Sequence, residues 1–583
     1  MHRLNELFVG ATIARRAGLR RSVSLAAMLG ATALTAPIFA QSALAQDRSD
    51  SEATAGNEIV VTAQRRSEAL EDVPMTVAVV SQQQMESAGV AALRDIAQVT
   101  TGFQLAQGAA YPQPAIRGVS TVINGTYENN VAIYIDGFYQ TAPQAISIDL
   151  PNMRSVEVLK GPQGALYGRN ATGGAVLINT IGPGDDWEGK VEATYGRFDD
   201  KRLSSYIAGP VSDTVGVSLA AYHRRGDGYV KLASRTVPGK AEGHGSPIQQ
   251  DAIRAKLKLT PSDTFTITLG YNYTHIDDAR ADLLTALENV PLVHTPAKDT
   301  LATRLGVTAY NLRNRLWSHQ HEGTLTLELD TGVGMVTSRT GYSHFVVTNT
   351  FDPDGSYTNV SYSRQRQRQK TFQQSLDYNI TAIDNLDLIV GGTYYHDHQD
   401  FPIPFTFYQG RAPLTNGVPE VPLSQYIMLF QQFFDEKKTA WAGFVDATYH
   451  ITDALSINVG GRYSKEKLNP TREQKSATPA LQRPRTEAVS NFSKFTPRAS
   501  IRYEVAPRTN VYASYSKGFR SGAYPSSQPV IPTDWVPAKQ ETIDAYEVGF
   551  KRRRVLSASK PQASITITRT SRSARRSAAP AAT

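Results

Sequence analysis

The chain has 583 residues, 40% of them hydrophobic and none of them cysteine, with a formal charge of +8 at pH 7. The missing cysteine excludes a disulfide framework and a thiolate metal site, and the apolar content excludes a generally disordered chain. The charge is no nucleic-acid footprint either: nine Lys or Arg without an acid fall in 551–583 and five Arg fall in 1–45, leaving a body of −5 from 47 basic and 52 acidic residues.

At the N-terminus, Arg15, Arg16, Arg20 and Arg21 precede the apolar stretch "SVSLAAMLGATALTAPIFA", which is followed by "ALA" at Ala43 to Ala45. A basic head, an apolar middle and small residues at the cut are the parts of a secretory signal peptide, so 1–45 is expected to direct export. No later stretch offers the 18 or more apolar residues of a spanning helix, so a membrane role would require a barrel. Residues 46–67 read as a linker. Within it "NEIVVTAQRR" holds a β-prone run, Ile59, Val60, Val61 and Thr62, after a polar segment that can pack against nothing. An exposed run of this kind pairs readily with another chain.

Residues 68–182 read as a compact α+β unit, too polar to face lipid. "SQQQMESAGVAALRDIAQVTTG" carries Met85, Val90, Leu93, Ile96 and Val99 at helical spacing. The short strands "PAIRGV", "VAIYIDGFY" and "SVEVLKG" follow, with Asp136-Gly137 as a hairpin turn. "GPQGALYGRNATGGAVLINT" then places five glycines between Gly161 and Gly174. It is neither a P-loop nor a dinucleotide fingerprint, and its glycines suit turns with φ > 0 and close backbone approach.

From about residue 188 the chain alternates with period two. In "TFTITLGYNYT", Phe265, Ile267, Leu269, Tyr271 and Tyr273 oppose Thr264, Thr266, Thr268 and Asn272; in "LSINVGGRYS", Leu455, Ile457, Val459 and Tyr463 oppose Ser456, Asn458, Arg462 and Ser464. Alternation alone fits a soluble sandwich as well as a transmembrane barrel. The connections separate the two. About 14 strands are counted between Trp187 and Lys551, joined alternately by tight turns (260–263, 331–332, 382–384, 452–454, 506–508) and long polar segments (277–318, 349–367, 398–433, 467–492, 520–540). A barrel with small turns on one side and large loops on the other requires that sorting. Tyr271, Tyr273, Tyr394, Tyr395, Tyr449 and Tyr463 are candidates for its interfacial girdles.

The order of these parts resembles a TonB-dependent outer-membrane receptor. "EIVVTAQRR" resembles the family's TonB box, and "IRGV", "VAIYIDGFY" and "VEVLKGPQGALYGRNATGGAVLINT" resemble its plug domain. The resemblance implies a mainly β fold: an antiparallel transmembrane β-barrel, 22-stranded in the plugged transporters, with the α+β plug inside its lumen. It implies that Glu58, Ile59, Val60, Val61, Thr62 and Ala63 bind TonB by strand addition. The residues matching plug motifs are Arg117, Gly118, Asp136, Gly137, Gly161, Gly164, Gly168, Arg169, Asn170, Gly173 and Gly174. The implied partners are TonB with its inner-membrane energising complex, outer-membrane lipid and a small extracellular ligand, with no nucleic acid, and the implied location is the bacterial outer membrane.

Family members carry iron chelates, cobalamin or glycans; active import of a scarce nutrient, an iron–siderophore chelate foremost, is the expectation adopted. A passive porin, a surface-binding protein or a non-functional receptor stand as alternatives. His396, Asp397 and His398 in "YYHDHQD" are expected at a polar loop tip rather than at a metal, and neither a cofactor motif nor a catalytic constellation emerges. The plug is assigned to 68–182, the barrel to 183–550, and 551–583 to an aberrant basic tail without order. Against 22 implied strands, 14 suggest a truncation or a frameshift near Lys551, and residues 563–574 admit a back-translation whose other frame encodes an aromatic strand.

Overall fold

Alternating residues from 188 onward form strands because every second side chain finds an apolar surrounding and the others a polar one; which is outside only the structure decides. In the strand Leu455–Lys475, Asn458, Arg462, Glu466 and Gln474 are buried while Val459 and Tyr463 are exposed. Polar side chains line the interior and apolar ones cover the exterior. That inversion of a soluble domain is the pattern of a membrane barrel.

The structure is a computed structural model that describes residues 60–108, 111–120, 128–142, 152–233, 241–244, 247–279, 307–308, 314–351, 361–410, 426–524, 536–552 and 562–571. The expected signal peptide, Glu58 and Ile59 lie outside the described residues. The N-terminal part comprises β1 (Val60–Val61), β2 (Glu68–Ala69), β3 (Val77–Ser81), α1 (Gln82–Ser87), α2 (Leu93–Val99), β4 (Phe103–Gly108), β5 (Tyr111–Ile116), β6 (Val131–Ile135), β7 (Phe138–Tyr139), β8 (Met153–Lys160) and β9 (Gly174–Thr180). Five of these strands make one sheet in the order β3-β8-β9-β6-β7. Its apolar face packs against the two helices through Leu93, Ile96, Val156, Val158, Val176 and Ile178. The helical pattern anticipated over 81–99 is two helices, not one. Ser81 caps α1 with Gln84 in a reciprocal box, and Gly89 at φ +66° turns the chain before α2.

The barrel wall follows: β10 (Glu188–Gly196), β11 (Asp200–Ser212), β12 (Val215–Gly226), a small ribbon of β13 (Lys231–Ala233) and β14 (Ala241–His244), then β15 (Ile248–Ser262) and β16 (Phe265–Asp278). After β17 (Val307–Thr308), which joins that ribbon, come β18 (Arg315–Asp330), β19 (Gly334–Phe351), β20 (Ser361–Ile383), β21 (Leu386–Gly410), β22 (Tyr426–His450) and β23 (Leu455–Lys475). The wall continues through β25 (Ser490–Ala506), β26 (Thr509–Arg520), β27 (Glu541–Arg552) and β28 (Gln562–Ser571), with β24 (Arg483–Glu487) pairing on the side of β23. Fifteen strands thus pair in succession, each antiparallel to the next, from β10 to β28. The five tight turns fall where the sequence places them.

Three expectations are corrected. The wall does not end near Lys551: β28 pairs with β27 over ten residues, from Thr542 opposite Ser571 to Lys551 opposite Gln562, so 562–571 is a strand and not a formless tail. The sequence "SITITRT" alternates with period two, and β27 offers it a free backbone edge. Secondly, β20, β21 and β22 run 23, 25 and 25 residues, well past the roughly 9–11 a bilayer requires, and consume most of the loops expected over 349–367 and 398–433. Pro402 and Pro404 hid this; they sit where the register of β21 against β22 shifts between Asp400 and Phe405. Thirdly, His396, Asp397 and His398 therefore lie within β21 and not on a loop, with Asp397 buried and the two histidines on the opposite face.

On the outer face Tyr342 stands opposite Phe372, Tyr394 opposite Trp441, and Tyr463 opposite Phe495, all six exposed. Each successive pair is two residues nearer the tight turns, the stagger that tilted strands need to hold one level. These rings form a girdle on the long-loop side, and Tyr449 and Tyr503 stand exposed near the tight turns. Of the candidate girdle residues, Tyr395 is corrected: it is buried and faces inward.

Candidate functional site: the plug–barrel seam

The glycine segment between β8 and β9 is where plug backbone meets barrel wall. A Cβ on Gly164 would come within 2.4 Å of the Lys517 carbonyl oxygen, so no side chain fits there. Thr496 Oγ1 donates to the Gly164 carbonyl at 3.0 Å, and the Asn170 N–H donates to the Phe519 carbonyl at 3.0 Å. Gly118, Gly137, Gly161 and Gly168 all have positive φ, Gly173 packs against Val119, and Gly174 closes on the carbonyl of Leu159. The anticipated glycine roles, turns and close approach, hold at these positions.

The charged plug residues reach outward. Arg117 Nη1 donates to Glu547 Oε2 at 2.7 Å, and the same carboxylate group accepts from the Thr76 N–H and hydroxyl. Asp136, at φ +50° in its turn, accepts from the Thr180 N–H and hydroxyl and pairs with Lys256 of β15 at 3.0 Å. Arg169 lies 3.9 Å over the Tyr395 ring and within 3.7 Å of Glu128 and 3.9 Å of Glu466. Each ties the plug sheet to the wall through a charge that is mostly out of water.

The described part of the box, Val60 to Ala63, is not a free tether. Val61 and Ala63 are buried, and Val60–Val61 pairs with Glu68–Ala69. The Thr62 N–H lies 3.1 Å from both carboxylate oxygens of Glu157, its hydroxyl donates to Oε1 at 3.0 Å, and the Tyr167 hydroxyl donates to its carbonyl. This corrects the expectation that the run is exposed: a buried carboxylate on β8 offers the strand its own polar partner. Burial pushes the Glu157 carboxyl up, while hydrogen bonds from Thr62 and Asn179 pull it back. Three residues beyond Thr62, Arg65 takes φ +62° and donates Nη1 to both oxygens of Asp377 on β20, at 3.1 and 2.9 Å.

Residues 69–175 match the TonB-dependent Receptor Plug Domain family, and residues 398–571 match the family of the TonB dependent receptor-like beta-barrel. The chain belongs to the TonB-dependent receptor family. The pesticin receptor of Yersinia enterocolitica is 25% identical over 526 residues, spanning 87% of this chain and 68% of that receptor. The ferrioxamine B receptor of Salmonella typhimurium is 24% identical over 270 residues, 44% of this chain and 33% of its own length. In fold, the receptor superposes on the ferric yersiniabactin uptake receptor of Yersinia pestis with a TM-score of 0.72 at 19% identity, covering 85% of this chain and 72% of that one. The ferric-catecholate import receptor of E. coli gives 0.65 at 15% identity, over 88% and 84%.

Between the receptor's plug and its wall runs a cavity of about 740 Å³, lined by Arg65, Arg66, Glu68, Arg339, Asp377 and Asp387 among others. It shares Arg65, Tyr134, Tyr167 and Arg339 with a smaller cavity of about 90 Å³ that reaches Arg169 and Glu466. Arg65 and Arg339 both contact Asp377, so one carboxylate holds two guanidiniums at the junction. Sequence reading missed Glu157, Arg65, Asp377 and Glu128; only Arg65 carried a signal, as part of "AQRR" beside the box.

Glu128 supplies a pH test of the seam. Burial alone would raise its carboxyl, but Arg169 and Lys438 overcome that and hold it down at about 2. A depressed folded-state value contributes stability that is complete above the unfolded range near 4.5 and is lost as pH falls through the folded one. Plug docking in the receptor is therefore expected to weaken by a few kcal/mol between about pH 4.5 and about pH 2. Protease accessibility of the plug against pH measures this, and Glu128→Gln should flatten the profile; a profile unchanged by that substitution contradicts the assignment.

Proposed function

We propose that the receptor imports a small iron chelate across the bacterial outer membrane, driven by TonB pulling on the box at Glu58 to Ala63. The observation that carries this reading is the tie from Thr62 to Glu157. It joins the N-terminal strand to β8, an interior strand of the plug sheet, so force on the box is delivered to the plug interior. Strand addition supplies the grip, since main-chain hydrogen bonds give affinity with little dependence on side chains. The outer membrane has no nucleotide supply of its own, so uphill transport draws on the inner membrane through that grip. The names of two relatives, the ferrioxamine B receptor and the ferric yersiniabactin uptake receptor, favour an iron chelate as cargo.

In this reading 1–45 directs export and is removed, and the chain acts as a transporter, not an enzyme. Uptake of radiolabelled iron chelates by cells that have this receptor alone tests the proposal. Uptake should stop when a protonophore collapses the inner-membrane gradient. Uptake that persists without the gradient would favour a passive porin.

A further inference from the structure

The outer wall carries a charge asymmetry that transport does not explain. One residue pair beyond the aromatic girdle, on the loop side, His344 faces Lys370 and Lys465 faces Ser493. One pair further, Arg368 faces Val346, His398 faces Lys437, and Lys467 faces Asn491. Lys370, Lys437, Lys465 and Lys467 are all exposed on the outer face of β20, β22 and β23. Among the described residues, none of the four has a carboxylate within ion-pair distance. The two acids nearby, Asp400 and Asp435, are already engaged, by Arg368 at 2.5 Å and by His398 at 2.8 Å.

Two cations elsewhere on the wall show the contrast. Lys517 on β26 pairs with Asp544 at 3.2 Å, and Arg315 on β18 pairs with Asp277 at 2.6 Å. Among the described residues, the sector of β20 to β23 gathers four ammonium groups on one face with no carboxylate at ion-pair distance from any of them, which costs mutual repulsion unless an anion lies among them. Their height decides which anion. A girdle of Tyr, Trp and Phe marks the bilayer–water boundary, so groups immediately beyond it on the loop side lie among the outer-leaflet head groups. An ammonium there meets phosphate, and long lysine stems can lie along the wall while their heads reach it.

We infer that the outer face of β20–β23 is a docking site for a phosphorylated glycolipid of the outer leaflet, with Lys370, Lys437, Lys465 and Lys467 gripping its phosphates. A head group with two phosphates on a sugar core suits the site, because the lysines fall on three strands and span several cross-strand spacings. Hydroxyl and amide groups interleave with them at Thr439, Ser493 and Asn491 and suit the sugar.

The test reconstitutes the full chain in phosphatidylethanolamine nanodiscs, adds bis-phosphorylated lipid A, and counts retained lipid by native mass spectrometry. The parent protein should retain lipid A and release its enzymatically dephosphorylated form. The quadruple K370Q/K437Q/K465Q/K467Q variant should lose at least about tenfold in retention. The corresponding four-arginine variant should keep it, and K517Q, whose lysine already has Asp544, should change nothing. Equal retention of phosphorylated and dephosphorylated lipid A by the parent protein overturns the site and needs no variant. Displacement of lipid A by equimolar phosphatidylglycerol overturns it too, because it reduces the lysines to a patch for any anionic lipid.

Discussion

A receptor carrying Val60→Pro, at an exposed position, is expected to bind its chelate as tightly as the parent and to lose about a hundredfold in the initial rate of energised uptake. Proline at this position removes a main-chain donor and fixes φ, so the segment can no longer complete a ladder with a partner's edge strand. The plug should tolerate the change, because β1 is two residues long and pairs only with Glu68–Ala69. Binding to de-energised cells and time-dependent uptake into energised ones separate the two quantities. Uptake at the parental rate would refute the box; loss of binding as well would show that the segment is part of the ligand site. Glu157→Gln is the informative companion. It keeps the shape but takes away the charge from the bonds to Thr62, so it should expose the box without touching its sequence.

How much of this was legible in the sequence follows from the range of the interactions. Strands and their turns were readable because period two and the sorting of connection lengths are local. The polarity of the wall was not: Asn458 and Val459 alternate in either orientation, and only packing around a common lumen shows which is inside. The plug's glycines could be assigned to tight geometry in general, but not Gly164 to Lys517, since that contact joins distant parts of the chain. The box was read as exposed because its partners are remote; Glu157 is 95 residues from Thr62, and Asp377 is 312 from Arg65. The His-x-His pair was misplaced because prolines at a register shift look like a loop, and β28 was dismissed because a basic composition hid seven alternating residues. Each miss lies where a long-range partner, rather than local propensity, decides the outcome.

Gly174→Val is expected to unfold the plug while leaving the barrel wall intact, turning a gated receptor into an open pore. Gly174 begins β9, which lies between β8 and β6 in the centre of the plug sheet. Its φ is +146°, and a Cβ there would stand 2.1 Å from the Leu159 carbonyl oxygen and 2.9 Å from the Ile116 side chain. The first cannot be relieved by a side-chain rotation, because it is with the neighbouring strand's backbone. The backbone conformation costs a branched residue about 1–3 kcal/mol, and the overpacking about as much again. That is of the order of a small domain's whole stability. The wall's own ladders do not pass through Gly174, so it should still migrate as a folded, heat-modifiable barrel. Proteolysis of 60–182 in the folded variant and entry of a large hydrophilic antibiotic would register the loss. A plug that stays protease-resistant, or cells that stay impermeable, would show that the sheet absorbs the strain. Leakage that needs neither TonB nor a proton gradient, set against parental uptake that needs both, would locate the gate in the plug, because the variant and its parent share the same wall.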